Sequence, residues 1–155
     1  MTPAINSLIK AKIPYKLHEY THDNSNTSYG LEAASKMNVD EKRVFKTIVV
    51  SLSNSKLAVG IIPVTSMLSM KLIAKSLNVK KASMADALDV ERSTGYILGG
   101  VSPLGQKRKL QTIVDSSAQE FSTIYVSAGQ RGLELEISPH DLCKLTDGVF
   151  DTITL

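Results

Sequence analysis

One lysine interrupts a stretch of apolar residues that is long enough to form a β-strand. The segment from Val44 to Val50 reads Val-Phe-Lys-Thr-Ile-Val-Val, and period-two alternation places Lys46 on one face and Thr47 on the other. Because both faces are otherwise apolar, the strand should lie inside its sheet, and Lys46 should have buried neighbours unless a cavity opens there. A lysine in such surroundings could act as an acid, a base or a fixed positive charge beside a carbonyl group. The alternative is a structural lysine whose ammonium reaches solvent or a carboxylate.

Glycines are concentrated in a second segment. Gly95, Gly99, Gly100 and Gly105 are four of the nine glycines in the chain. Since glycine has no Cβ, the main chain can approach a ligand closely there and direct N–H groups at a developing oxyanion or a phosphate. The segment matches neither the phosphate-binding loop nor the dinucleotide-binding fingerprint. Tight turns that require positive φ are the simpler interpretation.

A third segment, from Ser127 to Glu134, joins two β-like stretches and contains Gly129 and Gly132. A plain hairpin would account for it. The serine and the carboxylate could also bind an amino group and a hydroxyl group of a ligand. A serine nucleophile is disfavoured, because the sequence places no histidine beside Ser127.

The other reactive side chains fit structural positions better. His18 and His22 are four residues apart on a predicted strand and loop, where this spacing forms no shared ligand face, so no metal site is predicted. Cys143 is the single cysteine, lies in the last predicted helix and is expected to be a buried, unreactive thiol. The basic clusters 80–81 and 107–109 could contact phosphates, although each by itself is typical of solvated surface.

Composition and charge limit the classes of function. The chain has 155 residues, of which 43% are hydrophobic and 21% charged, as expected for one globular domain. Its apolar runs are shorter than the roughly 20 residues of a membrane helix, and no secretory signal is visible, so we predict a cytoplasmic protein without a membrane partner. A net charge of +3 is too mild to identify a nucleic-acid binder by itself, and the absence of tryptophan argues against reading long single strands. No DNA partner is expected.

Local patterns predict helices and strands without a regular βαβ alternation. Helices are predicted at 2–12, 31–37, 69–78, 86–92 and from 138 onward, and strands at 13–20, 44–52, 56–64, 112–115, 122–127, 133–137 and 150–153. The polar turn 53–55 joins the second and third strands as a hairpin. We therefore predict a single α+β domain over residues 1–155, with a mixed or antiparallel sheet or a small barrel flanked by helices.

Four motifs occur in order along the chain, namely Val44-Phe45-Lys46-Thr47, then 92–96, 99–106 and 125–133. Together they resemble the YbaK family of Cys-tRNA(Pro) deacylases, and the resemblance extends over nearly the whole chain. It implies the fold of the editing domain that is inserted in bacterial prolyl-tRNA synthetases. It also implies a trans-editing aminoacyl-tRNA deacylase that removes cysteine from mischarged Cys-tRNA(Pro), with Cys-tRNA(Cys) as a second candidate substrate, without a cofactor.

The resemblance also assigns roles to residues. Lys46 matches the essential lysine of the family. The other implied substrate-binding residues are Tyr20, Tyr29, Thr47, Gly99, Gly100, Val101, Ser127 and Glu134. In the mechanism implied, no protein nucleophile acts, and the thiol of the substrate cysteine attacks its own ester carbonyl and releases the tRNA by cyclisation. The chain departs from the family pattern at Tyr29, where relatives often carry Phe, and at Ala128, which replaces a common glycine.

The partners implied by the resemblance are the 3′ aminoacyl end of a mischarged tRNA and a prolyl-tRNA synthetase that could select the tRNA. Two alternatives stay open. The first is a deacylase of the same fold for alanyl-tRNA or another mischarged tRNA, since a related branch prefers alanyl-tRNA. The second is a noncatalytic module for tRNA ends or nucleotides, in which Lys46 and the glycine segment provide affinity only.

Overall fold

Five α-helices and eight β-strands make up the computed structural model, which describes residues 1–155. The strands are β1 Lys16–Glu19, β2 Phe45–Leu52, β3 Leu57–Pro63, β4 Ala82–Met84, β5 Gln111–Asp115, β6 Ile124–Gln130, β7 Leu133–Ile137 and β8 Val149–Asp151. The helices are α1 Pro3–Ala11, α2 Tyr29–Met37, α3 Met70–Ser76, α4 Ala87–Thr94 and α5 Pro139–Thr146, with short 3-10 turns at Glu41–Arg43 and Ser116–Glu120. No helix has the length and apolar character needed to cross a membrane.

The strands form two sheets. The larger has the order β4-β2-β3-β5-β8 and is mixed, because β2 pairs antiparallel with β3 and β4 whereas β5 pairs parallel with β3 and β8. The smaller has the order β1-β7-β6 and is antiparallel throughout. A bridge between Val44 and Tyr125 connects the two sheets. The predicted α+β class with mixed and antiparallel sheets in a single domain is confirmed.

The two faces of the smaller sheet have different neighbours. Leu133, Leu135 and Ile137 point from β7 into the main hydrophobic core. The alternate residues of β7 therefore point to the opposite face, together with Tyr125 of β6. Helix α2 packs on this opposite face, where its Ala33 and Ala34 belong to the same hydrophobic cluster as Tyr125. Glu134 consequently lies on the face of β7 toward which α2 is packed.

Helix boundaries follow capping residues visible in the sequence. The Thr2 hydroxyl accepts a hydrogen bond from the Ile5 N–H at the start of α1, and Ser69 accepts one from the Leu72 N–H at the start of α3. Asn38 ends α2 in the left-handed conformation, with φ 56°, as predicted.

Several strand boundaries differ from the prediction. The strand predicted at 13–20 is shorter, covering Lys16–Glu19, and β4 was not predicted. Strand β6 continues past its predicted end at Ser127 through a bulge, where Ala128 and Gly129 have no partner on β7. Gly129 has φ 111°, which a residue with a side chain rarely adopts, so this glycine permits the bulge.

Candidate functional site

A cavity of about 360 Å³ opens between α2, β2 and the turn that joins β6 to β7. Eight of the residues implied by the resemblance line it, namely Tyr20, Tyr29, Lys46, Thr47, Gly99, Val101, Ser127 and Glu134. Gly100 does not line it, because this residue is buried behind the wall, where a Cβ would lie 3.2 Å from the Gln130 Cα. The fold thus gathers residues that are widely separated in the sequence, while their roles stay predictions.

Lys46 lies half-buried near the start of β2, at the cavity wall. The cavity explains how a lysine is accommodated in an otherwise apolar strand. The ammonium is not part of any of the ion pairs in the structure, so the alternative in which it pairs with a carboxylate is wrong. An unpaired cation at a partly enclosed site can stabilise negative charge that develops on a carbonyl oxygen.

Glu134 is only 6% exposed and lies opposite Ser127 in the register of β7 and β6. Burial raises the pKa of this carboxyl group to about 8. Glu134 is therefore mainly protonated at neutral pH, and a neutral carboxylic acid can donate a hydrogen bond. The pKa of Tyr20 is raised as well, first by burial and then by the nearby Glu134 carboxylate.

The raised pKa of Glu134 should make the fold less stable as pH rises. Between the ordinary pKa of 4.5 and the folded value of about 8, the unfolded chain has lost a proton that the folded chain keeps. The contribution of this group to the free energy of unfolding should therefore fall by up to about 1.4 kcal/mol per pH unit in this window. Urea denaturation of the wild type and of Glu134→Gln at pH 5 to 8 measures the difference.

The matched control for this experiment is Glu136→Gln on the same strand. The Glu136 carboxylate accepts a hydrogen bond from Thr123 Oγ1 at 2.7 Å, and the pKa of Glu136 is lowered, chiefly by that bond. Its stabilising contribution is present at neutral pH and lost only as pH falls through the folded pKa. Wild-type and Glu134→Gln stabilities that stay a constant amount apart from pH 5 to 8 would contradict the assignment.

Helix α2 begins at the cavity, and Ser28 and Gly30 line the wall there. The Ser28 side chain makes no capping hydrogen bond, so the first N–H groups of the helix lack that partner at its positive end. Gly30 allows the start of α2 to pack closely against Val64, because a Cβ at position 30 would collide with the Val64 side chain. The Thr47 hydroxyl is also buried without a hydrogen-bond partner. These groups suit a ligand with negatively polarised oxygen atoms.

Gly99 also lines the cavity and has φ 88°, a conformation that favours glycine. A Cβ there would lie 2.5 Å from Arg131 Nε and 2.8 Å from Tyr29 Cε2, so only glycine leaves room for both side chains. Arg131 and Leu98 also line the cavity, although neither was predicted as a site residue. The position of Arg131 between Gly129 and Gly132, in the turn that carries Ser127 and Glu134, was the available signal.

No histidine or cysteine lines the cavity, although the His22 ring centroid lies 5.7 Å from that of the cavity residue Tyr29. His18 Nε2 and His22 Nδ1 contact carboxylate oxygens of Glu136 and Glu32, at 3.0 and 2.6 Å. Burial raises the pKa of the Cys143 thiol to about 11, so little thiolate forms at neutral pH. The basic cluster 107–109 lies partly on a separate cavity of about 200 Å³.

A family model described as "Aminoacyl-tRNA editing domain" matches residues 24–145, a range that contains Lys46, Gly99 and Glu134. The chain belongs to this family. The protein named "Putative Cys-tRNA(Pro)/Cys-tRNA(Cys) deacylase EbsC" from Enterococcus faecalis is 36% identical over 153 residues, which are 99% of this chain and 93% of that protein. "Uncharacterized protein YwhH" of Bacillus subtilis is 30% identical over 66 residues, which are 43% of this chain and 42% of that protein.

Two solved structures share the fold of this editing domain. The protein described as "hypothetical protein APE2540" superposes with a TM-score of 0.89 at 22% identity, over 99% of this chain and 100% of that one. The protein described as "a putative trans-editing enzyme for prolyl tRNA synthetase" superposes with a TM-score of 0.85 at 18% identity, over 100% of this chain and 99% of that one. The resemblance to the YbaK family is confirmed. Because editing removes the amino acid from its tRNA ester, the editing domain is an aminoacyl-tRNA deacylase, as predicted.

Proposed function

We propose that residues 1–155 act as one editing domain that removes cysteine from mischarged Cys-tRNA(Pro), and from Cys-tRNA(Cys), with the substrate thiol as the nucleophile. The relative from Enterococcus faecalis has both substrates in its name. The observation that carries the proposal is a cavity with an unpaired Lys46 ammonium and a close glycine main chain, but no nucleophile activated by a base. Ser127 Oγ accepts a hydrogen bond from the Gly129 N–H at 3.1 Å, and no histidine lines the cavity.

The proposed reaction is an intramolecular acyl transfer. The substrate sulfur attacks the ester carbonyl carbon, a C–S bond forms as the C–O bond to the ribose breaks, and the thiol proton ends on the ribose oxygen. A thiol held a few bonds from the ester has a large effective concentration, so the protein has to orient the substrate and stabilise the oxyanion. The Lys46 ammonium and the uncapped N-terminus of α2 are the positive groups for this purpose.

The remaining cavity residues are assigned by chemistry. Lys46 and the main chain from Gly99 to Val101 hold the ester and the terminal ribose, with Gly100 acting only through the shape of the loop. Ser127 and Glu134 bind the α-amino group of the substrate. A bound ammonium lowers the pKa of Glu134 again, because an opposite charge favours the carboxylate, so substrate and enzyme form a charge pair on binding. Tyr20, Tyr29 and Thr47 complete the wall.

An assay on four tRNAs tests the proposal. Cysteinyl-tRNA should be deacylated with a kcat/KM at least about 100-fold above that of alanyl-, seryl- and prolyl-tRNA. Alanine and proline have no thiol, and a serine hydroxyl is far less ionised than a thiol at neutral pH. Faster release of alanine would instead identify an alanyl-tRNA deacylase on the same fold. Tight, salt-sensitive binding of tRNA without turnover would identify a noncatalytic module.

We propose in addition that a prolyl-tRNA synthetase selects the tRNA. One solved structure with the same fold is described as "a putative trans-editing enzyme for prolyl tRNA synthetase". The net charge of +3 provides little long-range attraction for a tRNA, so a partner that already holds the tRNA would supply selectivity.

A further inference from the structure

Arg131 is held at the mouth of the cavity by three contacts. Its Cζ lies 4.0 Å from the centroid of the Tyr29 ring, and its Nη2 donates a hydrogen bond to the Leu98 carbonyl at 3.2 Å. Its guanidinium also covers Gly99, where a Cβ would lie 2.5 Å from Nε. Because Tyr29 of α2 and the main chain at 98–99 both contact the guanidinium, it is held in one position although Arg131 is exposed to solvent.

The charge of Arg131 has no partner in the chain. Arg131 takes part in none of the ion pairs, and one hydrogen bond occupies one of its five N–H groups. Lys46 and Arg131 are the two cationic residues that line the cavity. Lys46 is half-buried and Arg131 is on the rim, so the cavity suits a ligand that carries one negatively polarised group inside and a second at the mouth.

We propose that Arg131 is a positioning residue that binds the 5′-phosphate of the terminal nucleotide of the aminoacyl-tRNA. The inference rests on the proposed function. If the ester lies at Lys46, the rest of the bound tRNA extends outward through the mouth of the cavity. The 5′-phosphate of the terminal nucleotide is then the first full negative charge along the tRNA outside the ester. Arginine binds phosphate through two parallel N–H groups, and stacking on Tyr29 orients this planar fork before the ligand arrives.

The test compares two minimal substrates, 2′(3′)-O-cysteinyl-adenosine and its 5′-monophosphate. The wild type should prefer the phosphorylated ester by about 10-fold or more in kcat/KM, mainly through KM. Arg131→Gln should bring this ratio close to one, because the loss of kcat/KM should fall mainly on the phosphorylated ester. Arg131→Lys keeps the charge without the fork and should restore part of the preference. The matched control is Arg108→Gln, an exposed arginine of the second cavity, which should leave the ratio unchanged.

Different failures are distinguishable. An Arg131→Gln enzyme that keeps the wild-type preference for phosphate overturns the inference, and so does an equal loss on both esters. If the wild type cleaves neither ester, Cys-tRNA replaces them, and Arg131→Gln should then raise KM about 10-fold and reduce the slope of log(kcat/KM) against log[salt] by about one. An unchanged slope and KM would overturn the inference. A wild type that does not deacylate Cys-tRNA refutes the proposed function itself.

Discussion

Methylation of the substrate thiol should abolish deacylation, lowering kcat/KM for S-methylcysteinyl-tRNA at least about 10³-fold below that for cysteinyl-tRNA. A thioether has no proton to lose and cannot serve as the internal nucleophile, so the large effective concentration of the thiol is lost. The protein offers no replacement. Ser127 lacks a histidine partner in the cavity, and Cys143 does not line it.

The control must show that the methyl group is tolerated in the cavity. S-methylcysteinyl-tRNA should inhibit the reaction of cysteinyl-tRNA competitively, with a Ki within several-fold of the KM of the parent. A cavity of about 360 Å³ has room for one additional methyl group. Hydrolysis of the methylated ester at a rate near that of the parent would show that water, rather than the substrate sulfur, attacks the carbonyl.

Replacing Lys46 with alanine should lower kcat/KM for cysteinyl-tRNA by about 10²- to 10³-fold, the cost of removing one group that stabilises an oxyanion. Most of the loss should fall on kcat, because the negative charge on the carbonyl oxygen exists only in the transition state. Single-turnover deacylation separates the two parameters. Lys46→Met keeps most of the side-chain volume without the charge and should be impaired to a similar extent.

Lys56→Ala is the matched control for the lysine experiment. Lys56 lies in the turn between β2 and β3, on the same hairpin as Lys46, and is exposed outside the cavity. Its replacement should leave kcat and KM within about twofold of the wild type, as is usual for an exposed surface position. Unchanged activity of Lys46→Ala would contradict the proposed role of Lys46. A melting temperature equal to that of the wild type would show that the fold of each variant is intact.

The elements that could be predicted are those whose causes are local. The β2–β3 hairpin follows from alternation within each strand and a polar turn, and the ends of α1, α2 and α3 follow from residues such as Thr2, Ser69 and Asn38 that bond within one helical turn. Strand β4 has three residues, too few to show a period. The length of β6 depends on its pairing with β7 across the bulge.

The candidate site also combines features that could be predicted from the sequence with features that depend on contacts between distant segments. The motifs and their family resemblance placed Lys46, Ser127 and Glu134 in one pocket, and the fold brings them to one cavity. Two features could not be read from residue types. Gly100 lies behind the wall rather than on it, and Arg131 reaches the mouth because Tyr29 and Leu98, distant in sequence, contact its guanidinium.

The fold class, the family and the choice of Lys46 as the candidate central residue could be inferred from residue types and from the order of motifs along the chain. The packing of distant segments, in contrast, keeps Glu134 mainly protonated at neutral pH, leaves Lys46 without a carboxylate partner and brings a second cation to the mouth of the cavity. Desolvation and ion pairing depend on which segments pack together, and distances between segments are not encoded in any one of them.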